Sequence, residues 1–381
     1  MTRQIKVTYV TGTRADFGLL ERSLQALHAD DGIELTLLVT GQHLDARYGE
    51  TINDVRASGL EVVALPALEM EGASGQEMAR LVNAQMRQMI DYLSSHETDL
   101  LLLLGDRGEM MAAGLAAVFL GIITAHFHGG ERSGTIDDQL RQAISSLSIY
   151  HFPATPGARE RLIRQGETEE SVILLGAPGL DGLDGFQRND ALLDTLCIDR
   201  GREIATVIFH PVVQDAQSAG QQAQTVLTAT LKHFSGQVVL LAPNSDAGSA
   251  HIMAFYRDLE AEESLKGRLR IVRHLNRNNY LTLLEKSVVL IGNSSSGIIE
   301  AASLSTPVVN VGDRQNGREC SDSVFHCDFS DSAIAAALKA ALSYDGSFAN
   351  IYDQGGCAPH IVGTVKGFDL SGSALKKNFS Y

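Results

Sequence analysis

A chain of 381 residues, 44% of them hydrophobic and 20% charged, is long enough for two domains of ordinary size and too apolar to remain disordered. A formal charge of −15 argues against a nucleic-acid partner, because binding a phosphate backbone needs a basic patch, although it leaves room for a local basic pocket around a phosphate ester. Four scattered cysteines (Cys197, Cys320, Cys327, Cys357) with no C-x-x-C pair argue against a disulfide framework or a zinc site and suit reduced thiols in a cytoplasm.

The N-terminus runs straight into a strand pattern at Ile5, so no signal peptide is expected. From there the pattern is strand, loop, helix, repeated. Strands are predicted at 5–11, 34–40, 61–65, 100–104, 122–127, 150–152 and 172–175, with helices such as 19–29, 76–94 and 136–148 between them. The run of five leucines from Leu100 to Leu104 predicts a strand buried on both faces, as in a parallel sheet. The nearly uncharged stretch 110–125 is rich in Ala and Gly and falls short of the ~20 apolar residues of a membrane span. It reads instead as a buried helix over 109–119, a turn at Gly121 and a buried strand, and no membrane association is expected.

Pro and Gly in 176–181 suggest an interdomain hinge. The pattern then restarts, with strands predicted at 205–209, 237–241, 270–272, 288–291 and 307–311, and helices around 216–234, 250–263, 297–304 and 332–342. The fold class is therefore α/β, with two doubly wound Rossmann-like domains facing a cleft: residues 1–176, residues 177–363, and a tail over 364–381. In such sheets ligands sit at the C-terminal ends of strands, so the motifs there are the candidates.

Thr11-Gly-Thr-Arg-Ala-Asp16 follows the first strand, and Arg14 is placed to hold a phosphate. It is not the G-x-G-x-x-G fingerprint, so NAD is not supported. Gly105-Asp-Arg107 follows the leucine strand. Asp106 is either a reacting group or the cap of the next helix, and Arg107 is a partner for a phosphate or a carboxylate. Next, His128-Gly-Gly-Glu131 leads into a helix with Ile136, Leu140, Ile144 and Leu147 at helical spacing. Thr135 reads as its N-cap, with Asp138 completing a capping box. Glu131 and Asp137 have no such structural role, which suggests acid/base chemistry; the alternative is an ordinary polar connection.

In the second half, His210 ends a strand and is equally readable as structural or as a donor to a phosphate or sugar hydroxyl. His274 follows another strand. The loop Gly292-Asn-Ser-Ser-Ser-Gly297 opens a helix, and free N–H groups, the helix dipole and the hydroxyls of Ser294, Ser295 and Ser296 make an anion site. No Gly-Lys-Ser/Thr is present, which disfavours a kinase or ATPase. Glu300, about one turn in, is placed to accept from ribose hydroxyls, and Arg314 follows as another phosphate partner.

Taken in order across roughly residues 1–365, these motifs, together with Ser133-Gly-Thr-Ile-Asp-Asp138, His210-Pro211 and Gly312-Asp-Arg-Gln315, resemble the hydrolysing UDP-N-acetylglucosamine 2-epimerases. The resemblance implies a fold like that of glycosyltransferase family B and a nucleotide-sugar substrate. It also implies elimination of UDP to a glycal, then hydration to a free manno-configured sugar that feeds sialic or legionaminic acid synthesis. No metal and no NAD or other cofactor is implied. The substrate would be UDP-N-acetylglucosamine or a UDP-2,4-diacetamido-2,4,6-trideoxyglucose, and a homo-oligomer is expected.

Carried over, Asp106 and Asp137 match carboxylates of proton transfer and His210 a histidine near the sugar and diphosphate. Arg14, Arg107, Ser294, Ser295, Glu300 and Arg314 match positions that hold UDP, His274 lies where uracil and ribose bind, and His128, Ser296 and Gly297 are counted with the substrate- and UDP-binding residues. Where some members carry Glu-Gly-Gly-Glu with the first Glu catalytic, this chain has His128. Either Glu131 or His128 then takes the acid/base role, with Glu131 preferred for its charge type. The alternatives are a sugar transferase on the same fold, which would need an acceptor to release UDP; a non-hydrolysing 2-epimerase, which would keep UDP on the product; and a silent nucleotide-sugar sensor.

Overall fold

The computed structural model describes residues 3–46, 49–68, 74–134, 136–244 and 246–377. Among them no helix is long and apolar enough to cross a membrane. The chain forms two units, one comprising Met1–Glu131, Asp137–Asp181 and Tyr352–Tyr381, the other Arg132–Ile136 and Gly182–Ile351.

The first unit is built on a parallel sheet of β1 (Ile5–Thr11), β2 (Ile33–Val39), β3 (Glu61–Ala64), β4 (Leu100–Leu104), β5 (Ile123–Phe127) and β6 (Tyr150–Phe152), in the order β3-β2-β1-β4-β5-β6. Burial on both faces is what the leucine run requires. Leu100, Leu102 and Leu104 enter one core with the helix Arg14–His28, while Leu101 and Leu103 enter another with Met89, Met110, Ala113 and Ala117. The second unit repeats the plan with β7 (Ile204–Ile208), β8 (Gln237–Leu241), β9 (Leu269–Val272), β10 (Val289–Gly292), β11 (Val308–Val311) and β12 (Val324–Cys327), in the order β12-β11-β10-β7-β8-β9. Read from the other edge this is the same doubly wound order. In each sheet the strand order reverses beside the first strand, between β1 and β4 and between β7 and β10, where open α/β sheets bind ligands.

Three differences from the sequence reading have physical causes. The predicted strand at 172–175 is a single bridge, Val172 to His151, because β6 has three residues and leaves little edge to pair with. β12 was not predicted, since the polar His326 and the following Asp328 hide its short alternation. The tail over 364–381, which carries no signal in the sequence, belongs to the first unit, together with a helix, Ala358–Lys366, that is not among the predicted elements. Ile361 and Val365, one turn apart on that helix, pack into the core with Leu20, Leu24 and Leu27. Asp181, at the end of the expected hinge, caps it by accepting the N–H groups of Cys357 (2.8 Å) and Ala358 (2.7 Å). The first unit therefore extends past the predicted boundary at 176.

Candidate active site

In the first unit the turn after β1 is held by a capping box. The Thr13 hydroxyl accepts from Asp16 N–H at 3.3 Å, and the Asp16 carboxylate accepts from Thr13 N–H at 2.9 Å and Gly12 N–H at 3.2 Å. Burial pushes the Asp16 carboxyl up to about 6, against the opposing charge of Arg107. Arg14, first in the helix, pairs with Asp54 at 3.6 Å. Arg107, after β4, donates Nε–H to Glu109 at 3.0 Å, a carboxylate of its own unit.

Asp106 is not the cap of the helix Gly108–Leu120. The cap residue is Arg107, which makes no side-chain capping bond, and Asp106 instead pairs with Arg141. Arg141 is the centre of this site. Its side chain is 1% exposed, and it also donates to Asp138 at 2.9 Å and to the Glu131 carbonyl at 3.3 Å; Asp137 adds an attractive charge. Sequence reasoning passed over it, since no local motif marks an Arg whose partners lie elsewhere in the chain. On the helix Ile136–Leu147 the buried stripe is Arg141, Ile144 and Ser145, continued by Ser148 just past its end, spaced i, i+3, i+4 and i+7, while Leu140 is only half-buried. Ile144 of this stripe enters the core with Leu101 and Leu103, while Arg141 beside it turns to the carboxylate of Asp106. Thr135, the expected cap, lies outside the described residues, so the shown partner of Asp138 is Arg141.

The loop after β5 carries the remaining acid. His128 adopts a left-handed backbone (φ 62°), and its N–H donates to Phe152 O at 3.0 Å. Gly130 has φ 77°, and a Cβ there would lie 2.3 Å from the Ala158 carbonyl, so only glycine fits. This tight path brings His128 Nδ1 to 2.5 Å from Glu131 Oε1, with both side chains buried. Beneath them His126, which sequence reasoning passed over, donates Nε2–H to Gly105 O at 2.6 Å and accepts from Ser145 Oγ at 3.0 Å. Burial lowers its pKa to about 3, so it is a neutral tie between the Asp106 turn and the acidic helix.

In the second unit the strand ends meet at Asn293, which is 1% exposed. Its side chain clamps the residue after β7, accepting from His210 N–H at 2.7 Å and donating to His210 O at 2.8 Å. Its carbonyl accepts from Arg314 at 3.0 Å and Gln315 at 2.9 Å. The clamp requires β10 to approach β7 closely. At Gly292 (φ 134°) a Cβ would lie 1.9 Å from Ile208 O. His210 Nδ1 accepts from Asn244 N–H at 3.0 Å, which leaves its proton on Nε2, and burial with the Arg314 charge lowers its pKa to about 3. It is a neutral donor and not a titrating base.

The serine loop differs from expectation in one respect. Its helix, Ser295–Ile299, has only five residues, and the N–H groups of Ser296 and Gly297 are already engaged by the Ser294 hydroxyl and carbonyl at 3.4 and 3.1 Å. Gly297 serves packing, since a Cβ there would lie 2.9 Å from Val308. Ser294, Ser295 and Ser296 remain half-buried. Glu300 is 4% exposed, accepts from Ser296 Oγ at 2.5 Å and forms an ion pair with Arg277 at 2.7 Å; Tyr280 bonds the same serine. Tyr280 and Arg277 carried no motif and went unnoticed, their only signal being the i,i+3 spacing that puts them on one side of the helix Arg277–Glu285. His274 is exposed after β9. Among the described residues no three His, Cys, Asp or Glu side chains are grouped to hold a metal ion.

A family model described as UDP-N-acetylglucosamine 2-epimerase matches residues 25–366. A UDP-N,N'-diacetylbacillosamine 2-epimerase (hydrolyzing) from Legionella pneumophila is 41% identical over 379 residues, covering 99% of this chain and 99% of that one. A UDP-N-acetylglucosamine 2-epimerase from Neisseria meningitidis is 30% identical over 343 residues, 89% of this chain and 88% of the relative. Among solved structures, a Methanocaldococcus jannaschii UDP-GlcNAc 2-epimerase in complex with UDP-GlcNAc and UDP superimposes with a TM-score of 0.80 at 16% identity, covering 95% of this chain and 99% of that one. Such neighbours establish the fold as glycosyltransferase-B-like.

Proposed function

The chain belongs to the UDP-N-acetylglucosamine 2-epimerase family, and from that premise we propose that it is a hydrolysing enzyme that releases UDP and a free manno-configured sugar. The observation that carries this reading is the Asp106–Arg141–Asp138 cluster beside the His128–Glu131 pair, in a chain similar from end to end to a hydrolysing 2-epimerase. UDP-N,N'-diacetylbacillosamine, a UDP-2,4-diacetamido-2,4,6-trideoxyglucose, is the first substrate to try, and UDP-N-acetylglucosamine the second.

The chemistry asks for a weakly acidic C2 proton to be removed while UDP departs. Asp106 and Asp137, gathered at Arg141, are the proposed proton-transfer carboxylates. Glu131 is the proposed central-loop acid/base group, with His128 Nδ1, 2.5 Å from its Oε1, holding the carboxylate in place. The diphosphate gathers negative charge as it leaves. His210 Nε2–H, Arg314, Arg14, Arg107 and the hydroxyls of Ser294 and Ser295 are the proposed donors, with Glu300 and His274 assigned to the nucleoside.

The test is incubation of the full chain with each UDP-sugar in deuterated water, followed by NMR. The expected result is free UDP together with a free sugar deuterated at C2. Turnover that leaves UDP on the product would mean a non-hydrolysing epimerase, and UDP release only with an acceptor would mean a transferase.

A further inference from the structure

The C-terminal segment of the first unit crosses β6 and ends against the helix that carries Arg141. Phe368 stacks on Tyr150 with ring centroids 3.7 Å apart, and the Tyr150 hydroxyl donates to Asp369 O at 3.1 Å while Asp369 N–H donates back at 3.0 Å. Lys377 is then brought to the end of the helix Ile136–Leu147. Its ammonium donates to the carbonyls of Ser145, Ser146 and Ser148 at 3.2, 3.0 and 2.6 Å. It also pairs with Glu167 at 2.6 Å, and Glu167 in turn pairs with His151 on β6 at 3.0 Å. The ammonium is mostly buried, its side chain 15% exposed, and the Glu167 side chain is 5% exposed.

A surface lysine would gain little from such contacts. Here carbonyls of the last turn of a helix and of the residue just past it, together with the negative end of the helix dipole, face one mostly buried cation. The helix is thereby fixed along its axis about one turn beyond Arg141. The same helix offers Ser145 Oγ to His126, and His126 holds Gly105 O next to Asp106. Any slip of the helix end therefore reaches both sides of the Asp106–Arg141 pair.

We propose that Lys377 is a positioning residue: the C-terminal segment is a latch that locks the helix Ile136–Leu147 in the register at which Arg141 presents Asp106, Glu131 and Asp137 for reaction. This rests on the roles given to those carboxylates above, so the experiment reads the latch separately from the chemistry. Full-length Lys377→Met and Lys377→Arg are compared with wild type by hydrogen exchange and by UDP-release kinetics on the best UDP-sugar. Lys377→Met should speed amide exchange across 136–148 by at least about tenfold, with the helix Gly75–Leu93 unchanged, and lower kcat at least about tenfold with KM within about threefold. Lys377→Arg, which keeps a multidentate cation, should recover most of both.

Unchanged exchange over 136–148 in Lys377→Met overturns the latch whatever the activity. Faster exchange with wild-type kcat overturns the positioning role. If wild type releases no UDP from any UDP-sugar, the functional reading fails while the exchange comparison still decides the latch. Should Lys377→Met not fold, Lys377→Gln is read by the same criteria.

Discussion

Replacing Arg141 with Met tests the centre of the first-unit site. The thioether occupies much the same volume in a position that is 1% exposed, so packing is largely kept while five donors and a charge are lost. Removing one partner of a buried ion pair costs about 3–5 kcal/mol, because the other charge is stranded. Asp106 and Asp138 are 24% and 21% exposed, so water relieves part of that penalty and the lower figure, about 3 kcal/mol, is expected. For a unit of this size each kcal/mol moves the melting point by about 2–4 °C, which gives a fall of about 6–12 °C.

Scanning calorimetry of the full chain should show that fall in the transition of the first unit, leaving that of the second in place. Turnover should drop about 100-fold, the penalty for a displacement near 1 Å of reacting groups. Adding Asp106→Asn to the variant should restore about 1 kcal/mol, since a neutral amide is cheaper to leave unpaired than a carboxylate. A melting point within about 2 °C of wild type for Arg141→Met, or a double variant less stable than the single, would refute the stranded-charge reasoning.

Three further outcomes follow from the same geometry. Gly130→Ala places a methyl 2.3 Å from the Ala158 carbonyl at a positive φ, and should destabilise the first unit by about 3 kcal/mol or more in urea titrations; an unchanged midpoint would mean the loop moves freely. The folded pKa of His126, about 3, lies below its unfolded value near 6.5, so the unfolded chain takes up the proton first and stability is lost as pH falls through 6.5 toward 3. At about 1.4 kcal/mol per pH unit, wild type should lose about 2 kcal/mol more than His126→Gln between pH 6.5 and 5, and equal losses would argue against a buried neutral imidazole. Glu300→Gln breaks the Arg277 pair and should weaken UDP binding about tenfold by calorimetry, near 1.4 kcal/mol; affinity within twofold of wild type would remove Glu300 from the nucleoside site.

The local signals and the pairwise ones were not equally readable. Continuous apolar runs such as Leu100–Leu104 report burial on both faces whatever they pack against, so the two parallel sheets and most strand limits could be read from periodicity. Short elements at sheet edges could not: β12 and the bridge at Val172 depend on which neighbour offers free hydrogen-bonding groups. The motifs at strand ends, from Arg14 to Arg314, were visible because topology alone places such positions beside the reversal of strand order.

Which of those residues touch was not visible. Arg141, His126 and Tyr280 carry no motif of their own and Asn293 no expected role within its loop; their roles come from partners distant in the chain: Asp106, Gly105, Ser296 and His210. The helix Ala358–Lys366 is the same case on a larger scale, as its apolar pair has a core to enter only once the chain has returned to the first unit. The sequence by itself determined the class of fold and the chemical kind of groups at the strand ends, since both follow from patterns a few residues long. Tertiary structure alone decided which buried polar group satisfies which, because burying a polar atom is tolerable only beside a partner, and that partner is set by the folded path of the chain.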